Sequence, residues 1–135
     1  MVKRQIHTQM NENEIAKTIF DLGLKIHRTL GPGLLESAYE ECLFYEIRKF
    51  GLKVEKQKAL PLIYEEVNLE VGYRIDLLIE NKLIVEVKSV EALNDIHLAQ
   101  VLTYLKLSDC KLGLLINFNT NLFKNGVKRV INGNL

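Results

Sequence analysis

The chain has 135 residues, 47% apolar and 26% charged, and 18 Lys and Arg against 17 Asp and Glu leave a formal net charge of +1. That is the make-up of an ordinary globular chain, and it excludes a polybasic or histone-like binder, so any nucleic-acid surface has to be a local patch. Cys42 and Cys110 are the only cysteines, too few for a four-cysteine zinc or iron–sulfur site or a disulfide scaffold. No apolar run reaches the roughly 18 residues of a membrane-spanning helix, and residues 1–7 carry charge without the apolar stretch of a signal peptide. The expectation is one domain over 1–135 in the cytoplasm, with 1–10 a flexible N-terminal segment.

Ile15, Ile19, Leu22, Ile26 and Leu30 recur at three- and four-residue steps and predict a helix over 11–30, capped by Asn11 or Asn13. Gly31-Pro32-Gly33 ends it, because Pro32 disfavours helical backbone in the residue before it. A second helix is expected over 33–49, with Leu34, Leu35, Ala38, Leu43, Phe44 and Ile47 as apolar positions and Gly51 as its C-terminal cap. Four extended segments follow, at 53–58, 60–67, 71–79 and 83–88. Lys53, Lys56 and Lys58 mark the first as an edge protected by charge. Segments 73–79 and 83–88 are apolar on both faces, the pattern of central strands covered on both sides. Asn94 caps a helix over 94–107 that ends near Ser108-Asp109; 112–118 has a buried-strand pattern and 127–131 forms the last strand. The order α-α-β-β-β-β-α-β-β, with one helix crossing between strands, gives a mixed-sheet α/β sandwich and not a doubly wound nucleotide fold.

Asp76, Glu86 and Lys88 lie inside these apolar strands, where a charge costs several kcal/mol unless it is paired or holds a metal. Alternation puts Glu86 and Lys88 on one face and Val85 and Val87 on the other. With Glu80-Asn81-Lys82 as a three-residue hairpin loop, Ile79 faces Leu83 and Asp76 faces Glu86, their Cβ atoms about 5 Å apart. Two carboxylates that close repel unless a cation lies between them. A hard divalent ion with oxygen ligands, Mg²⁺ or Mn²⁺, suits the pair, and Lys88 beside it would polarise a water or a phosphate oxygen. The combination points to phosphodiester hydrolysis; a structural ion network on a sheet rim is the competing reading. Two features weigh against that network. Gln100 and Tyr104 share a face of the 94–107 helix, with His97 one turn earlier. Glu36 is a lone carboxylate among Leu34, Leu35 and Ala38, with Tyr39 one turn on. A polar helix edge and a first-turn glutamate favoured by the helix dipole are their plain alternatives. Arg74 shares a face with Asp76 in a regular strand and is expected to pair with the acidic cluster; Lys124, Lys128 and Arg129 are expected to form a solvated edge.

On these residues the chain resembles the PD-(D/E)XK nuclease superfamily, and more closely the family named for a Gly-x-x-Glu-x-x-Tyr motif. Gly33, Glu36 and Tyr39 match that motif; Asp76, Glu86 and Lys88 match the Asp…Glu-x-Lys core. Gln100 and Tyr104 match the Gln-x-x-x-Tyr helix of the RecB-like and lambda-exonuclease-like branch, while Ile75 stands where Pro often precedes the Asp. The resemblance implies a restriction-endonuclease-like core: a mixed β-sheet flanked by helices, with an N-terminal helical pair. It implies a Mg²⁺- or Mn²⁺-dependent phosphodiesterase, a hydrolase acting on DNA. Asp76, Glu86 and the Val87 carbonyl would be its metal ligands, and Glu36 would complete the acidic cluster or hold a second metal. Glu36, Asp76, Glu86 and Lys88 form the implied catalytic set, with Lys88 orienting or activating the attacking water. Gln100 and Tyr104 would position the scissile phosphate or the strand end, with Tyr39 and His97 as further substrate contacts. Two cysteines cannot supply the cysteine-ligated cluster of CRISPR-associated members, so no iron–sulfur cluster is expected. No membrane partner is expected; a homodimer or a partner protein would supply targeting that so small a core has little room for. The alternative function is a nuclease-fold module that binds nucleic acid or protein without turnover of its own.

Overall fold

The computed structural model describes residues 9–69 and 72–135. The first helix, α1 (Glu12–Leu30), begins in a reciprocal cap: Asn11 Oδ1 accepts from the Glu14 N–H at 2.8 Å, and Glu14 Oε1 accepts from the Asn11 N–H at 2.9 Å. Ile15, Ile19 and Ile26 are buried along one face, as their spacing predicts. Gly33, at φ 101°, occupies backbone closed to most side chains and cannot begin a helix. The second helix, α2 (Glu36–Phe50), therefore starts at Glu36 and not at 33, and ends on left-handed Gly51.

β1 (Val54–Ala59) is followed by a separate antiparallel hairpin, β2 (Leu62–Tyr64) and β3 (Val67–Leu69). This hairpin corrects the single strand expected over 60–67. Glu65 takes φ 51° and turns the chain, without the Gly, Pro or Asn that announces a turn. Then come β4 (Arg74–Ile79), β5 (Leu83–Lys88), α3 (Asp95–Ser108), β6 (Leu112–Asn117) and, after a 3₁₀ turn at Phe123–Gly126, β7 (Val127–Ile131). The start of the expected 71–79 strand lies outside the described residues, as do positions 1–8 of the expected flexible segment. Met10 is held in place, its carbonyl accepting from Lys82 Nζ at 2.8 Å.

The main sheet runs in the order β1-β4-β5-β6-β7. Of its pairings only β5–β6 is parallel, and α3 makes the crossover. Leu77, Ile79, Leu83, Val85 and Val87 pack under α1 and α2 with Ile15, Ile19, Leu43 and Ile47. Ile84 and Leu115 pack on the other face against Val101, Tyr104 and Leu105 of α3. The fold is thus the expected α/β arrangement, a mixed sheet flanked by helices and fronted by a helical pair. β1 is an edge, as its lysines predict; Lys56 pairs with Glu41 and Lys58 with Glu55. The β4–β5 turn is Glu80-Asn81-Lys82, and Ile79 faces Leu83 as the loop count requires.

Candidate active site

Past Leu77 and Val85 the β4–β5 ladder stops. The same register brings Asp76 opposite Glu86, and there carboxylates replace the strand-to-strand hydrogen bonds. Glu86 Oε2 accepts from the Asp76 N–H at 2.8 Å, and Asp76 Oδ2 accepts from the Val87 N–H at 2.9 Å. β4 stays paired to β1 as far as Arg74, and β5 to β6 as far as Lys88, so the sheet opens between them. Glu86 is only 3% exposed. Burial, then the neighbouring Asp76 charge, pushes its carboxyl up to about 8, against the pull of the Asp76 N–H and the Lys88 ammonium. Burial also raises Asp76, with Glu36 adding to it and the Val87 N–H, Gln57 and Lys88 opposing. Lys88 itself is half-buried; its carbonyl accepts from the Phe118 N–H at 2.9 Å, while its ammonium forms no hydrogen bond or ion pair among the described residues.

Glu36 reaches this opening from the first turn of α2. Its Oε2 accepts from the Ser89 N–H at 3.2 Å, and Ser89 Oγ donates to the Leu34 carbonyl at 2.6 Å. The residue after Lys88 is therefore tied to the loop that starts α2. Tyr39 secures that loop: its hydroxyl donates to the Gly31 carbonyl at 2.5 Å and accepts from the Leu34 N–H at 3.1 Å. Its ring stacks on Phe118, 4.4 Å between centroids and 6° from parallel. Tyr39 is fully buried, so it offers substrate no surface here; within its motif it holds Glu36 against β5. Asn117 fixes the same stretch from β6, accepting from the Val90 N–H at 3.1 Å and donating to the Val90 carbonyl at 3.0 Å.

A family model for the PD-(D/E)XK nuclease superfamily matches residues 13–130, from α1 into β7. The chain belongs to the PD-(D/E)XK nuclease superfamily. No curated protein and no solved structure matches it. Members of the superfamily are mostly nucleases and generally use divalent metals such as Mg²⁺.

Two site residues of this PD-(D/E)XK chain escape the sequence reading. Gln57 Nε2 donates to both Glu40 carboxylate oxygens, at 2.9 and 3.1 Å, and to Asp76 Oδ1 at 3.2 Å, so it bridges two acids. Burial raises the Glu40 carboxyl; Gln57 opposes, and the Asp76 charge adds to the rise. Glu40 lies four residues after Glu36, which puts both on one helical face and was a usable signal. Gln57 has φ 51°, left-handed backbone within a strand, and nothing in the sequence announces it.

On α3, Tyr104 is buried in one cluster with Ile75 and Ile84, neighbours of Asp76 and Glu86 on β4 and β5; burial, then the Glu86 and Asp76 charges, raises its hydroxyl. His97 belongs to the α3 cap, Nδ1 accepting from the Asn94 N–H at 3.1 Å. Arg74 departs from expectation. It donates to the Gln57 carbonyl at 3.5 Å and pairs with neither Asp76 nor Glu86, because it sits exposed beside β1 and reaches that strand's backbone. Lys124, Lys128 and Arg129 are exposed around β7, the edge away from Asp76, and Arg129 hydrogen-bonds Asn13 at 2.8 Å. A hollow of about 380 Å³ between α1 and α2 is lined by none of Glu36, Asp76, Glu86 and Lys88. Among the described residues no three His, Cys, Asp or Glu converge into a ready-made metal cage. The site offers two carboxylates, oxygen donors only, at a split in the sheet.

Proposed function

We propose that this chain is a metal-dependent nuclease that hydrolyses phosphodiester bonds in DNA, a member of the Gly-x-x-Glu-x-x-Tyr family within the RecB-like branch, acting in the cytoplasm. The observation that carries the reading is the pair Asp76 and Glu86, crossed onto each other's strand backbone with Lys88 free beside them.

The donor set fits Mg²⁺ or Mn²⁺. Such ions keep several waters and need one or two carboxylates, the number the split presents. The Val87 N–H points at Asp76; a strand residue's N–H and C=O leave on the same side, which favours the Val87 carbonyl as a third ligand. Glu36, and with it Glu40, extends the acidic cluster toward a second ion. A bound ion would lower the pKa of its water and neutralise charge on the phosphate. The protein's own groups do the rest in this reading. Lys88 donates to the attacking water or to a non-bridging oxygen. Gln100 and Tyr104 hold the phosphate from α3. Tyr39 and Asn117 keep Glu36 and Lys88 in register.

The test is cleavage of labelled single-stranded, duplex and branched DNA in Mn²⁺, Mg²⁺ or chelator. Wild type is expected to cut only with metal. Lys88→Ala is expected to lose on the order of 10²–10⁴ in rate, as a positioned proton-handling group does, with an unchanged melting temperature. Full activity in that variant sinks the mechanism. The net charge of +1 favours, as second reading, a binding module without turnover; metal-dependent stabilisation with no cleavage by either protein would shift the conclusion to it.

A further inference from the structure

The carboxylates at the sheet split repel the strand they are proposed to cut, and a net charge of +1 does little to offset that. Lys17, Lys25, Lys56 and Lys58 are already paired with Asp21, Glu46, Glu41 and Glu55. Contacts that need no positive charge would therefore add to substrate affinity where those lysines do not.

Between α3, Tyr73 and the β2–β3 hairpin lies a cavity of about 240 Å³, lined by Leu62, Tyr73, Gln100, Thr103, Tyr104 and Leu107. Two aromatic rings and two leucines wall it, and its polar groups are one amide and three hydroxyls. Among the described residues no charged side chain lines it. Tyr104 joins it to the active site, because it packs in one cluster with Ile75 and Ile84 of the two strands that carry Asp76 and Glu86. Tyr73 forms the outer wall, 45% exposed, its backbone fixed by the Leu60 N–H donating to its carbonyl at 2.8 Å. The β2–β3 hairpin, which supplies Leu62, also leaves Ile63 and Tyr64 largely exposed.

We propose that this cavity receives an unpaired base of the DNA strand whose phosphate lies at Asp76, Glu86 and Lys88, stacked against Tyr73, so that the protein selects single-stranded segments over closed duplex. The inference rests on the nuclease reading above. Stacking on an aromatic ring needs no positive charge and tolerates any base. A base inside a duplex must first leave its stack and its pairing partner. The Thr103 hydroxyl gives the base edge a neutral donor and acceptor.

Equilibrium binding tests this with a short oligodeoxynucleotide carrying the fluorescent base 2-aminopurine, single-stranded and as duplex, in chelator so that metal-dependent cleavage does not intervene. Wild type is expected to quench the single strand and bind the duplex more weakly. Tyr73→Ala is expected to raise the single-strand Kd about five- to a hundredfold, the loss of one stacked base, while Tyr73→Phe keeps it within about twofold. Equal affinity for single strand and duplex, no binding of the single strand, or a wild-type Kd in Tyr73→Ala each overturns the cavity assignment. The readout is independent of turnover. Cleavage with Tyr73→Ala binding unmoved refutes the cavity and leaves the nuclease standing. Tyr73-dependent single-strand binding without cleavage does the reverse.

Discussion

Glu86 stands where a strand hydrogen bond would otherwise run, and its chemistry follows from that place. The folded carboxyl is pushed up to about 8 from an ordinary value of 4.5, so between those values the folded chain holds a proton that the unfolded chain has released. This contribution to stability is complete below about 4.5, declines as pH rises, and is lost above about 8. Glu86→Gln keeps an acceptor for the Asp76 N–H and removes the titration. Without metal it is expected to exceed wild-type stability by on the order of a few kcal/mol above the folded value, with the gap closing as pH falls toward the unfolded one. Urea unfolding across that range checks it; a gap independent of pH would mean that folding does not shift Glu86. Mn²⁺ is expected to raise the wild-type melting temperature and leave Glu86→Gln unmoved. At this scale the sequence carried a good deal. Counting a three-residue loop was enough to set Asp76 across from Glu86, because hairpin length determines register. It could not show Gln57 bridging two acids, because a left-handed residue in a strand is imposed by what surrounds it.

Among the elements, α1 contains an apparent fault. Gly23 sits in its interior, where alanine is the better helix former by about 1 kcal/mol. A Cβ there would stand 2.5 Å from Phe123 Cζ. Phe123 in turn packs on Phe20 and Phe118, at 5.2 and 5.4 Å between centroids, and Phe118 carries the Tyr39 ring. Gly23→Ala is therefore expected to destabilise by about 1–3 kcal/mol through overpacking, its better propensity notwithstanding. Chemical denaturation reads this directly; a stabilised variant would show that the Phe123 ring yields. The helices were legible because caps and a regular apolar period both mark them: Asn11, Asn94 and Gly51 act as their positions predict. The β2–β3 hairpin was not, since Glu65-Glu66 carries no turn residue. Nor was the late start of α2, which Gly33 and the Tyr39 hydroxyl set together.

For the molecule as a whole, near-neutral charge bounds how it can hold nucleic acid. A protein that tracks a backbone with many lysines loses affinity steeply as salt rises, by about 0.7 log units per log salt for each phosphate neutralised on a single strand. Here Lys88 and Arg74 are the cations nearest Asp76 in the strands that form the opening. The log–log slope of single-strand binding is expected to be no steeper than about −2, measured by anisotropy over a salt series; a much steeper slope would reveal a wide phosphate-tracking surface. The split sheet has one more consequence. β4 and β5 are joined by three register pairs next to their hairpin, and past them the backbone hands two amide protons, those of Asp76 and Val87, to carboxylates. Those protons are shielded from solvent only while the acids stay turned inward. Whatever draws the acids outward uncovers them, so their exchange rates and resonance positions register the occupancy of the site from within the main chain, with no substrate present.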